Sequence, residues 1–289
     1  AAPLLLTGLA VALSFRCGVW NIGAEGQLYG GALAATWVAT RLAPSEAGAW
    51  LWLLVLVAGA AGGALFGAVA GWLRAARGVS EVISTILLNF VAIQLVAWAL
   101  QGPLQEAPRA YPQSDPFPAA ARLPSIGRLH LGLPLALLSS IAVWFLLSRT
   151  ALGFRLRAVG HSPEAARFAG LSPERLGTLA LTLAGALAGV AGAVEVAGIT
   201  GRLYEGVSPG TGYTAIAVAL LARLAPAAVV PSALFFGALA NGALAMQREA
   251  GVPSVATQVV QGLVILLSIG FAFGGLALAR ERVAGEGEP

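Results

Sequence analysis

Apolar residues gather along the chain in long runs near 1–15, 27–40, 49–73, 82–101, 131–148, 177–200, 211–222, 227–246 and 256–279, each bounded by a short polar stretch. Several approach the ~20 residues that cross a hydrocarbon layer as a helix. Lipid offers no partner to a free backbone N–H or C=O, so runs of this kind predict helices. The fold expected is all-α: a polytopic membrane helical bundle. The first run is short for a span, and Ala1 opens directly into it with no basic leader, so no cleavable signal peptide is read; initiator removal leaving Ala1 and a truncated N-terminus are equal alternatives. Between two of the runs lies Arg149–Leu176, which holds five arginines against two glutamates. Within it Ser162-Pro163-Glu164 reads as an N-cap, a proline at N1 and an acid in the first turn. That predicts a helix of about two turns through Phe168, closed at Gly170. Ser172-Pro173-Glu174 repeats the start signal ahead of the 177–200 run.

Composition strengthens the membrane reading. Of 289 residues, 58% are hydrophobic and 10% charged, with a mean hydropathy of +0.82, whereas a soluble domain carries about a quarter charged residues. All 17 basic residues are arginine. Arg74 and Arg77, the 149–176 group, and Arg280 with Arg282 are expected on one side, the cytoplasm, by the positive-inside rule. The proline-rich stretch 102–130 then becomes the main external loop, with His130 a surface residue. A transmembrane domain over 1–280 and a disordered cytoplasmic tail over 281–289 follow. The net charge of +4 reflects arginines flanking the membrane and points to no nucleic-acid partner. With no lysine the chain cannot carry a Walker-type ATP site, and the loop histidines His130 and His161 with the lone Cys17 make no metal site. No catalytic set is present, so no enzyme is expected.

Two features point to transport. The stretch 64–71 (ALFGAVAG) with 78–82 (GVSEV) resembles 233–240 (ALFFGALA) with 251–255 (GVPSV), and the topology above runs the two copies in opposite senses, as in an inverted repeat. Each half also holds a glycine-rich interruption, Asn21–Gln27 and Glu205–Tyr213, just before a short apolar run. Such breaks predict broken helices whose backbone can meet a polar ligand, with surface loops as the alternative. Glu81, Thr85 and Asn89 fall four apart on one helix face, and Thr257, Gln258, Gln261 and Ser268 form a second stripe. Together with Glu195 inside an apolar run, they suggest a hydrated route for a polar solute. Trp20, Tyr29, Trp98 and Tyr213 are able to stack on a sugar or base, or to anchor span ends at the interface.

Trp20–Gln27 (WNIGAEGQ) resembles the N-I-G-x-E-G-Q signature of permease subunits of bacterial ABC importers for simple sugars, nucleosides and branched-chain amino acids. Glu81–Asn89 (EVISTILLN) is similar to the family's E-V-I-x-T-I-x-L-N segment, and Arg157–Gly160 with Ala165–Gly170 to its R-A-V-G…A-A-R-Y-A-G loop. Ala217–Leu221 and Gln261–Leu263 also match, and the N-I-G-x-E-G-Q form looks most like the nucleoside and sugar branch. The resemblance implies a permease of the bacterial plasma (inner) membrane, spanning the lipid bilayer. It implies partnership with a separate ATP-binding cassette subunit, a second permease subunit and an extracytoplasmic solute-binding protein. The chain then needs no cofactor of its own, because ATP is bound by the partner subunit. Asn21, Glu25, Gln27, Asn89, Gln258 and Gln261 are the candidates near the solute path, with Glu25 alternatively a cap on the broken helix. Arg157, Ala165, Arg167, Phe168 and Gly170 are the candidates for ATPase coupling. An ion- or proton-coupled secondary transporter, using Glu195 or Glu25, is the competing reading.

Overall fold

The computed structural model describes residues 1–41, 50–127 and 129–250, together with positions 259, 262, 263, 266 and 267. Among them the helices are, in order, α1 (Ala2–Arg16), α2 (Ala24–Arg41), α3 (Leu51–Arg77), α4 (Glu81–Leu100), α5 (Gly132–Arg149), α6 (Ala151–His161), α7 (Pro163–Phe168), α8 (Pro173–Val194), α9 (Thr211–Leu221) and α10 (Pro226–Ala250). A π turn, Glu195–Thr200, prolongs α8. A two-residue ribbon, β1 (Ser125–Ile126) against β2 (Leu129–His130), precedes α5. Five helices, α3, α4, α5, α8 with its π turn, and α10, are long and apolar enough to cross a membrane, while α1 and α9 are shorter apolar helices. The protein is an all-α polytopic membrane bundle.

Helix α1 is its centre. Residues 2 to 14 are all buried, against α8, α9, α5 and α10, as expected of a helix that is apolar all round. Its two hydroxyls return to their own backbone: Thr7 Oγ1 donates to Pro3 O at 2.8 Å and Ser14 Oγ to Val11 O at 3.0 Å. Around α1 the tightest packing joins α3 to α8. Gly59, Gly63, Gly67 and Gly71 recur every four residues on α3; the first two lie against Gly189 and Gly185 of α8, Gly67 against Leu181 and Gly71 against Thr178. A Cβ at Gly63 would stand 2.6 Å from Gly189 Cα, so only glycine permits this approach. In lipid, where no hydrophobic force draws helices together, close van der Waals contact of this kind holds the pair. Thr178 Oγ1 adds an interhelical bond to Gly71 O at 2.9 Å. The outward faces of α3, α4 and α5 expose Leu65, Leu87, Phe90, Trp98, Leu138 and Ile141, an apolar belt that suits acyl chains.

The ends of the helices sort into two layers. Arg16, Arg74, Arg77 and the 149–176 segment share one, the arginine-rich end. At the far end Gln101, which follows α4, bonds Glu205, and Leu123 bonds Ala197. Helices α1, α2 and α3 therefore run toward, away from and toward the arginine-rich end, whereas α8, α9 and α10 run away, toward and away. The packing repeats the same relation: α3 on α8 is matched by α10 on α1, α2 on α8 by α9 on α1, and α2 on α3 by α9 on α10. Stretches 64–71 and 233–240 fall on the corresponding helices α3 and α10; 251–255 lies outside the described residues.

Three local expectations change. The 149–176 segment is not a loop around one short helix. Thr150 Oγ1 accepts the Gly153 N–H at 3.0 Å and starts the 11-residue α6, and Ser162 Oγ accepts the Ala165 N–H at 3.2 Å to start α7. Gly170 (φ 78) closes α7 as expected, but Ser172 makes no cap bond and α8 begins on its proline. Stretch 102–130 is more than a loop. Ser114, Phe117 and Leu123 donate backbone N–H groups to Leu203, Gly201 and Ala197, at 2.8–2.9 Å, fastening it to the chain after α8. His130 is half-buried rather than at the surface, and its Nδ1 accepts the Gly132 N–H at 3.1 Å.

Candidate functional site

The connection between α1 and α2 turns at Gly18 (φ 73) and climbs back into the bundle before α2 begins at Ala24. Its shape is set by side-chain amides. Asn21 Oδ1 accepts the Gly23 N–H at 3.0 Å, the Asx geometry that bends a chain without regular structure. Asn21 Nδ2 donates to Gln27 Oε1 at 3.0 Å, and Gln27 Nε2 donates back to Asn21 Oδ1 at 3.2 Å. Both side chains are buried, and this reciprocal pair clamps the start of α2.

The polar face of α4 receives this stretch. Glu81 Oε1 accepts the Trp20 N–H at 3.5 Å, and Thr85 Oγ1 accepts the Ile22 N–H at 3.3 Å. Asn89 Oδ1 accepts the Gly26 N–H at 2.8 Å, while its Nδ2 donates to Ile22 O at 3.0 Å. The spacing of four that puts these side chains on one face matches the rise of the incoming backbone. Asn89 stands eight residues beyond Glu81, about 12 Å along α4, which is the depth at which α2 starts. Irregular backbone at such depth persists only where protein satisfies it or water reaches it, and here three side chains of α4 satisfy it.

From the far end the chain after the π turn descends in the same way, with positive φ at Gly201, Gly206 and Gly210, and α9 begins at Thr211. The two irregular stretches meet. Glu25 Oε2 accepts the Gly212 N–H at 2.5 Å, so the acid in the first turn of α2 caps α9. Ser208 Oγ accepts the Thr211 N–H at 3.2 Å, Tyr29 Oη donates to Ser208 O at 3.2 Å, and Asn89 Nδ2 reaches Tyr213 Oη at 3.3 Å. Two helix N-termini thus converge inside the bundle, each presenting the positive end of its dipole. That is an arrangement suited to polar groups of a ligand. Beside it Trp20 and Tyr213 keep exposed ring surface, 53% and 43% respectively.

Of the expected path residues, Asn21, Glu25, Gln27 and Asn89 come together in this one cluster, buried and bonded to protein. Gln258 and Gln261, with Thr257, Ser268, Arg280 and Arg282, lie outside the described residues. Glu195 opens the π turn, near the far end. Sequence reasoning paired the two interruptions but missed their contact and the parts of Ser208 and Gly212 in it. The readable signal was an acid at a helix start with no capping partner of its own.

At the arginine-rich end α7 stands out from the bundle. Phe168 is 94% exposed, and Ala165, Arg167 and Gly170 are exposed beside it. Arg167 is paired with Glu174. A hollow of about 550 Å³ is bordered by Glu164, Arg167 and Phe168. Arg157 lies one helix earlier, half-buried on α6, with Nε donating to Gly153 O at 3.4 Å.

Comparison with known proteins identifies relatives of the chain. The family described as branched-chain amino acid transport system, permease component, matches residues 1–269. A glucose ABC transporter permease protein of Haloferax volcanii is 40% identical over 283 residues, 93% of this chain and 74% of its own length. A guanosine ABC transporter permease protein of Bacillus subtilis is 38% identical, covering 91% of this chain and 77% of its own. A nucleoside ABC transporter permease protein of Lactococcus lactis is 30% identical, covering 93% and 77%. No solved structure matches.

Proposed function

Since the chain belongs to the branched-chain amino acid transport system permease family, we propose that it forms the solute pathway of an ATP-driven (ABC) importer for nucleosides or simple sugars. It is a multi-pass protein of the plasma membrane. The observation that carries the choice of solute is the set of similar permeases, whose names specify glucose, guanosine or nucleosides. In this reading the arginine-rich end faces the cytoplasm. There α7, with Phe168 at its tip and Arg157, Ala165, Arg167 and Gly170 around it, seats in a separate ATP-binding subunit. That subunit binds and hydrolyses ATP; this chain hydrolyses nothing and needs no cofactor. A second permease completes the pathway, and a solute-binding protein delivers cargo at the far end. There Arg122, Arg202, Trp52 and Thr200 border a hollow of about 760 Å³.

The solute passes beside the convergent starts of α2 and α9. Asn21, Gln27 and Asn89 hold that frame in shape, Glu25 joins its two halves, and Gln258 and Gln261, in the last apolar run, remain proposed as residues near the path. Hydroxyl-rich solutes without net charge suit a passage framed by backbone amides and amide side chains. Reconstitution tests the reading. Vesicles holding the chain with its copurifying partners should accumulate labelled guanosine or glucose only with ATP and the binding protein. Uptake by the purified chain alone, driven by an ion gradient, would establish a secondary transporter instead.

A further inference from the structure

Helix α9 is short. Its 11 residues reach about 16 Å, half a bilayer, so its position is fixed by what holds its ends. One stretch of chain holds both. At its start the Gly212 N–H is taken by Glu25 Oε2 at 2.5 Å, and a Cβ at Gly212 would stand 2.5 Å from Glu25 Cα. Beyond its end Arg16 Nε donates to Leu224 O at 3.0 Å, in a turn where Arg223 and Leu224 both hold positive φ, 50° and 58°. L-residues adopt that conformation reluctantly, so two in succession mark a turn held in place by its surroundings. Arg16 and Glu25 are the two ends of the α1–α2 connection.

The same connection touches α6. A Cβ at Gly18 would stand 3.2 Å from Gly160 Cα, and one at Gly160 would stand 3.1 Å from Cys17 C and collide with Arg16 O. Backbone therefore rests on backbone, with no side chain between to absorb a shift. Above this contact the Asn21–Gln27 pair and the α4 bonds stiffen the rise to Glu25.

We infer that residues 16–25 form a rigid link between α6 and α9, making Gly160 and Arg16 positioning residues that set where α9 stands in the pathway. A force on α7 enters α6, moves the Arg16–Gly18 backbone, and shifts α9 at both ends at once. Close-packed contacts convey such displacements because they do not deform continuously. The inference rests on the importer reading above for the source of the force.

The test uses the assembled transporter in lipid nanodiscs with Cys17→Ser and Arg223→Cys, which places a reporter thiol beyond the end of α9. Maleimide labelling of that thiol is timed without nucleotide and with ATP plus vanadate. The expected result is a rate change of at least about fivefold, abolished by Gly160→Ala while the ATP-binding subunit still copurifies. Survival of the change in Gly160→Ala overturns the inference, as does its absence from the parent. Should Gly160→Ala lose the ATP-binding subunit, Arg16→Gln, which leaves the α6 contact intact, must abolish the change, and survival there overturns the link. If the unmodified chain carries no ATP-binding subunit, the importer reading has failed and the link falls with it.

Discussion

Glu25 Oε2 accepts the N–H of Gly212 at 2.5 Å, although 187 residues separate the two in sequence. This bond joins the halves of an inverted repeat at the depth where each half breaks its helix. Gly212→Ala should be poorly tolerated, because its Cβ would meet backbone at Glu25, which cannot step aside. Overpacking of this kind costs about 1–3 kcal/mol. Glu25→Ala orphans a buried N–H, a loss of similar size, about 1–3 kcal/mol, while Glu25→Gln keeps an acceptor and should lose less. Thermal unfolding in detergent ranks the three. Gly212→Ala melting with the parent would show the two halves held together elsewhere.

Asn89 is the polar residue on which most backbone of the first break depends. It serves Gly26 N–H and Ile22 O at once, and Tyr213 Oη besides. Asn89→Ala leaves two buried main-chain groups without partners, at about 1–3 kcal/mol each. Asn89→Asp keeps the acceptor and loses the donor, so it should fall between Asn89→Ala and the parent. Protease digestion reads this locally, with cleavage between Trp20 and Gly26 expected to rise in the same order. An unchanged pattern would mean that the break is held by the Asn21–Gln27 pair alone.

How far this was legible depends on what each residue announces to its neighbours in sequence. The apolar runs within the described residues gave helices because lipid imposes helix on any such run, and Ser162-Pro163-Glu164 gave α7 because caps act over three or four residues. Glu81, Thr85 and Asn89 were readable as a shared face for the same short-range reason. That this face is filled by the backbone of 20–26 was not readable, since nothing local distinguishes a stripe awaiting solute from one meeting chain 63 residues away. The contact of Glu25 with Gly212 was hidden similarly. The repeat placed the two breaks in equivalent positions, but only the crossing of α2 and α9 brings them together. Helix α6 was missed despite a local cap at Thr150, because its mix of arginine, glycine and apolar residues reads as loop.

The glycines of α3 carry a prediction about assembly of the bundle. Gly63→Ala pushes a Cβ to 2.6 Å from Gly189 Cα, so α3 and α8 must part. Destabilisation of about 1–3 kcal/mol is expected, with more from Gly63→Leu. The reading is a lower melting temperature. Equal melting of parent and variant would show that another helix pair dominates stability.

His130 supplies a pH dependence outside the spans. Burial holds its imidazole below the ordinary value of 6.5. Its Nδ1 must stay unprotonated to accept the Gly132 N–H. Above that value both folded and unfolded chains are neutral at this site, so it contributes no slope. As pH falls through it, the unfolded chain takes the proton first and stability declines. The parent should therefore melt lower at pH 5.5 than at pH 7.5 by more than His130→Asn, which keeps an acceptor and cannot titrate. Parallel declines would place the acid sensitivity elsewhere.

Phe168 tests the proposed grip on the ATP-binding partner without touching the fold. Its ring is 94% exposed at the tip of α7, so a substitution there removes almost no packing within this chain. Exposed aromatics of this kind serve as anchors that fill a partner's pocket, worth about 2 kcal/mol or more at the centre of an interface. Phe168→Asp should thus leave expression, membrane insertion and melting of the isolated chain unchanged. It should weaken copurification of the ATP-binding subunit by at least about thirtyfold, since 2 kcal/mol corresponds to that ratio. Should the Phe168→Asp chain retain its partner at full yield, the proposed seat of the ATP-binding subunit on α7 would be wrong.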